Sequence, residues 1–203
     1  MKINDMEMLS GDIFMIDSNK QGPKIVKFFQ TAPTWAHHIW RKFFGKQEKV
    51  LYYHVGIWAR GINKVYYAIE QQAKVKVRDA TYTKKLLESS NRLLIVRRKD
   101  INEAQRDRIV AEAMEDIGKG YDILNCFGKF LTWLTGIPLF AMYLEWPDKE
   151  ICINRVAQWY RNAIGEKFGV FVHSSLTTHT MYKYIKAHPE KFEIVYEGVP
   201  NEM

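Results

Sequence analysis

Apolar residues alternate with polar ones in some stretches of the chain and recur at helical spacing in others. Residues 11–17, Gly-Asp-Ile-Phe-Met-Ile-Asp, predict a turn feeding a short buried strand. Residues 51–59 predict a strong strand, 60–64 a turn and 65–71 a second strand, so that the two form a hairpin. Lys74, Val75, Lys76, Val77 and Arg78 alternate with a period of two, which predicts a third strand with one wet face. Residues 92–97 and 192–196 predict two more strands. Helical spacing governs 101–117, where Ile109, Val110, Ala113, Met114 and Ile117 share a face before Gly118 and Gly120 end the run. It returns at 152–163, stopped by Gly165, and at 176–187, with a short helix expected at 82–88. Trp35, Trp40, Phe43 and Phe44 are spaced as in a helix within 24–46, but Pro33 and Gly45 punctuate that segment into helix and loop. Strands and helices segregate rather than alternate, which predicts an α+β fold with an antiparallel sheet of about five or six strands.

Composition narrows this picture. The chain has 203 residues, 47% of them hydrophobic, enough for one well-packed domain. No linker, repeat or low-complexity tract divides it, so residues 1–203 read as a single domain with an apolar insertion at about 127–146. Within that insertion, 130–144 is shorter than the ~20 residues a transmembrane helix needs. Gly136-Ile137-Pro138 interrupts it, and Lys129 and Glu145 flank it. It reads as a buried or lid-like element; a second reading has it touching a membrane surface. The formal net charge of +7 favours acidic partners. Only Arg97-Arg98-Lys99 form a tight basic cluster, however, and no nucleic-acid-binding motif accompanies them, so a nucleic-acid partner is not expected. The two cysteines, Cys126 and Cys152, do not make a disulfide framework, and the first residues lack the apolar core of a signal peptide. A cytoplasmic, reducing location is the expectation.

Three residues carry candidate chemistry. Cys152 falls in the first turn of its helix, where exposed N–H groups and the macrodipole favour thiolate over thiol. Pro147-Asp148-Lys149-Glu150 looks like a good helix start, with acidic side chains near the N-terminus. His54 lies on a strand on the face opposite Val55, and Gly56 leaves room on the His54 face for another backbone or a substrate. Hairpin pairing can bring Glu70 close to His54, where a carboxylate would fix the imidazole tautomer and support the imidazolium. A base beside a thiol is the minimum apparatus of a cysteine nucleophile. Cys126 has no helix start and no adjacent base and reads as structural. Neither His37-His38 nor the isolated His173 and His179 show ligand spacing, so no metal or other cofactor is expected.

These landmarks, in this order, resemble the NlpC/P60 superfamily of papain-like thiol hydrolases in its circularly permuted branch, where the histidine strand precedes the cysteine helix. Gly11-Asp12-Ile13 looks like the opening strand of that family, His54-Val55-Gly56-Ile57 its histidine strand and Ile69-Glu70 the next strand with its acid. Gly120-Tyr121-Asp122 resembles the element before the nucleophile, 152–160 the cysteine helix and 177–195 the closing helix and strand. The resemblance implies a single permuted papain-like domain with Cys152 as nucleophile, His54 as base and Glu70 as third residue. It also implies that Tyr121, with Tyr53 beside the histidine, lines the substrate site. Ile153 and Asn154 depart from the family, which commonly has Ser and then an acidic or small residue there. The implied function is a cysteine hydrolase that cleaves an amide or peptide bond, such as a cell-wall peptide link, through a thioester. The alternatives are a lipid acyl hydrolase or acyltransferase with the same triad, or an inactive binding module. A peptide-like or acyl substrate is the expected partner.

Overall fold

A computed structural model of the chain describes residues 7–17, 52, 54–61, 66–71, 74–79, 81, 92–120, 122, 124–125, 127–128, 131, 143, 149–170 and 176–199. Their order is β1 (Ile13–Asp17), β2 (His54–Arg60), β3 (Tyr66–Gln71), β4 (Val75–Arg78), β5 (Arg92–Arg98), α1 (Glu103–Glu115), α2 (Cys152–Ile164), α3 (Thr178–Ala187) and β6 (Phe192–Gly198). The strands form one six-stranded sheet in the order β4-β3-β2-β1-β5-β6. Every neighbouring pair is antiparallel.

Burial explains the sequence patterns. β1 lies in the middle of the sheet and is covered on both sides, so Ile-Phe-Met-Ile reads as an unbroken apolar run. Ile13 and Met15 join Val55, Ile57, Ile69, Leu94 and Val96 in the larger core, which α1, α2 and α3 cover through Ile109, Val156, Trp159, Met181 and Ile185. Phe14 and Ile16 join Trp58, Ala68, Leu93 and Ile95 in a second core on the opposite face. Gly56 has no room for a substrate beside it. A Cβ there would lie 2.7 Å from the Ile69 carbonyl oxygen and would also meet the Phe14 ring. The space left by the missing side chain is filled by Phe14.

Element ends follow local chemistry. β2 begins at His54, and Lys74 sits outside β4 in an isolated bridge to Gly120. Asn102 caps α1 in a reciprocal capping box with Gln105, and Thr177 caps α3 likewise with Thr180. Gly165, in the left-handed conformation at φ 75°, closes α2. The helix expected at 82–88, the segment 24–46 and most of the insertion at 127–146 lie outside the described residues.

Polar anchors fix the helices on the sheet. Asp12, fully buried at the entrance of β1, accepts from Arg97 on β5 and Arg106 on α1. The Tyr160 hydroxyl donates to the Gly11 carbonyl, joining α2 to the same corner. Asp116, just past α1, accepts from Trp159 Nε1 at 2.8 Å and from Arg155 at 3.1 Å, which holds α2 against α1.

Candidate active site at the Cys152 helix

Cys152 is the first residue of α2 and is 2% exposed. The residue before it, Ile151, is extended, makes no side-chain cap and leaves the first N–H groups of the helix without one. Of the start expected from 147–150, Pro147 and Asp148 lie outside the described residues. No acid stands in the first turn, and Glu150 lies before the cap, 4.0 Å from Arg155. The positive end of the helix is therefore directed at the Cys152 region with no carboxylate in that turn to offset it. α2 packs against β2, the histidine strand.

Sheet register assembles the partners of the thiol. Gly56 pairs with Glu70, so His54 and Glu70 are diagonal neighbours on one face of the sheet. His54 Nε2 donates to Glu70 Oε2 at 2.8 Å, and Glu70 is fully buried at its side chain. The Cys152 side chain acts on the imidazole as well, raising its pKa. A third member, not singled out in the sequence, is Arg78, whose Nε donates to Glu70 Oε1 at 3.0 Å. Its place in a period-two basic strand gave it the look of a solvated charge. Pairing of Ala68 with Arg78 makes it the diagonal neighbour of Glu70.

The electrostatics follow from these contacts. Burial disfavours the charged imidazole. The hydrogen bonds and negative charges of Cys152 and Glu70 outweigh that, and the pKa of His54 is pushed up to about 10. The ring is thus held as imidazolium at neutral pH.

Cys152, His54 and Glu70 are brought together. Tyr53, Tyr121 and Cys126 lie outside the described residues. Asn154 and Ile153, which depart from the resemblance, are both buried. Asn154 Nδ2 donates to Asn125 Oδ1 at 3.4 Å, and the Asn125 N–H donates to Asp122 Oδ1 at 2.9 Å. That buried polar wedge ties Asp122 and Asn125 to the first turn of α2. A polar residue two positions after the cysteine was the only sequence signal for it. Among the described residues, no group of three or more His, Cys, Asp or Glu side chains is arranged to hold a metal ion. No helix among them is long and apolar enough to cross a membrane.

Neither the family models nor the curated proteins gave a match. Among solved structures, the chain is similar to "metalloprotein yiiX from Escherichia coli O157:H7, DUF1105", with a TM-score of 0.51 and 16% identity. The likeness covers 93% of this chain and 89% of the other. It corrects the resemblance drawn from the sequence: the fold is the α+β arrangement of yiiX, not a permuted NlpC/P60 papain-like domain. The landmarks behind the earlier assignment are a Gly-Asp strand, a histidine in a hairpin and a cysteine at a helix start, and each arises from local rules that many α+β chains obey. The cysteine-hydrolase function falls with that family, for a peptide or amide bond and for an acyl substrate alike, as do the thiol-peptidase class and the catalytic-triad label. By fold, and by fold alone, the chain is similar to the metalloprotein yiiX.

Proposed function

We propose that the chain works through a Cys152 thiolate charge-paired with the His54 imidazolium, and that its ligand carries an electrophilic centre to which that sulfur bonds. The supporting observation is an imidazole hydrogen-bonded to a fully buried carboxylate, its pKa also raised by a cysteine side chain at a helix N-terminus. Each neighbour favours charge separation: the helix end and the imidazolium favour sulfur as an anion, and Glu70 favours the ring as a cation. In the reaction the sulfur lone pair forms the new bond. The displaced electron pair moves onto the ligand, and the proton on His54 is at hand to neutralise it. A free thiol of this kind calls for a reducing compartment such as the cytoplasm.

The word metalloprotein in the name of yiiX raises the question of a resident metal. The described residues do not fit one. Both Glu70 oxygens are engaged, one by His54 and one by the Arg78 guanidinium, and the imidazole is engaged by Glu70 and Cys152. A cation 3.0 Å from the only carboxylate of the group opposes a second cation there.

The test is the pH dependence of Cys152 alkylation by iodoacetamide, followed by mass spectrometry. Because Cys152 is buried, rates are compared between pH values rather than with a free thiol. The expected outcome is a rate at pH 6 within a few-fold of that at pH 8. His54→Gln should move the rise toward the ordinary thiol range near 8.5. A wild-type profile rising only near 8.5, or stoichiometric protection of Cys152 by zinc, would overturn the reading.

A further inference from the structure

Glu70 is the middle of a chain of charges that runs across three adjacent strands, His54 on β2, Glu70 on β3 and Arg78 on β4. Two diagonal steps of the register build it, because Gly56 stands opposite Glu70 and Ala68 stands opposite Arg78. The carboxylate is fully buried, whereas the Arg78 side chain is 23% exposed and the His54 side chain 16%. The two oxygens are divided, Oε2 to the imidazole at 2.8 Å and Oε1 to the guanidinium Nε at 3.0 Å.

We propose that Arg78 is a positioning residue for the Cys152 site, holding the Glu70 carboxylate turned so that Oε2 stays on the His54 ring. Its consequence at sulfur rests on the thiolate reading above; its effect on His54 does not. A fully buried carboxylate is costly without a cation partner. With Arg78 gone, the imidazolium alone of these two cations faces Glu70, the Oε1 bond that holds the carboxylate in this orientation against turning is lost, and its hydrogen bond to the imidazolium weakens. The guanidinium suits this task because its donors are fixed in one plane. Other charged groups lie close by. Lys76 on β4 stands directly opposite Glu70 but is exposed, and Cys152 meets the ring from α2. On the far side of His54, β1 brings only the apolar Phe14 and Ile16 to this face.

The decisive measurement is the titration of His54 by ring 15N NMR on the full chain, alongside the pH profile of Cys152 alkylation. Arg78→Ala should lower the His54 midpoint by about one unit and slow alkylation at pH 6 by about tenfold. Arg78→Lys, which restores charge but not the fork, should fall between Arg78→Ala and wild type. Should Arg78→Ala fail to fold, Arg78→Gln decides by the same midpoint. A His54 titration in the Arg78 variants that superimposes on wild type, while Glu70→Gln shifts it, would overturn the proposal. If the wild-type sulfur behaves as an ordinary thiol, the thiolate reading fails, and the His54 midpoint still decides the role of Arg78.

Discussion

His54 shows at the scale of one residue how context sets chemistry. The same imidazole free in water would be mostly neutral at pH 7; between Glu70 and Cys152 its pKa is raised to about 10. A raised histidine pKa stabilises the fold fully below its unfolded value of about 6.5, and the gain is lost as pH rises through the folded value. Between about 6.5 and 8.5 the unfolded chain still carries the proton on its ordinary thiol, so one proton is bound in both states and the net loss is deferred. We therefore expect the stability advantage of wild type over His54→Gln to hold at pH 8 and to shrink steeply between about pH 8.5 and 10.5. Urea unfolding of both proteins across that range measures it. An advantage unchanged at pH 10.5 would contradict the charge pair. Cys152 and His54 were legible in the sequence as a thiol at a helix start and a histidine on an alternating strand. Arg78 was not, because periodicity reports which face a residue is on and is silent about which charge lies diagonally across the next strand.

At the scale of the element, the hairpin of β2 and β3 is what delivers the histidine and the acid to one place. Its register depends on how closely the two backbones and Phe14 approach at Gly56. A methyl group there would stand 2.7 Å from the Ile69 carbonyl oxygen, which cannot move without opening the ladder. Gly56→Ala should therefore destabilise the protein by about 2–3 kcal/mol by urea unfolding. It should also displace His54 relative to Glu70, with a slower Cys152 alkylation at pH 6 even where the protein remains folded. A loss below about 0.5 kcal/mol would mean that strand separation here is softer than the packing implies. The glycine was visible in the sequence, as room for another backbone or a substrate. The backbone does approach, through the Ile69 carbonyl, but there is no room for a substrate because the Phe14 ring fills the remaining space.

At the scale of the whole molecule, Asp12 joins the sheet to α1, and Tyr160 brings α2 to the same corner through the Gly11 carbonyl. Arg106 is 8% exposed and is ion-paired with Asp12. Removing the carboxylate leaves a buried guanidinium short of its partner, a change that typically costs about 3–5 kcal/mol. Asp12→Ala should accordingly lower stability by about 3 kcal/mol by urea unfolding. If α1 and α2 lean on this corner as the contacts indicate, near-ultraviolet circular dichroism should report looser Trp159 packing before global unfolding. A stability change under 1 kcal/mol would show that the ion cluster sets geometry without setting stability.

The local elements follow from the sequence alone, because strand alternation, helix periodicity and the Gly165 stop act within a few residues. The sequence also showed that Cys152 would open a helix and that His54 and Glu70 would sit on paired strands. The assembled fold set the sheet order that places β4 beside β3 and so brings Arg78 to Glu70. It likewise decided the filling of the Gly56 space by Phe14 and an overall arrangement similar to yiiX rather than to the family that the ordered landmarks resembled. The reason is physical. Local patterns follow from backbone geometry and burial, which neighbouring residues specify. Which distant side chains meet depends on how strands are ordered and helices docked, and many orders satisfy the same local pattern.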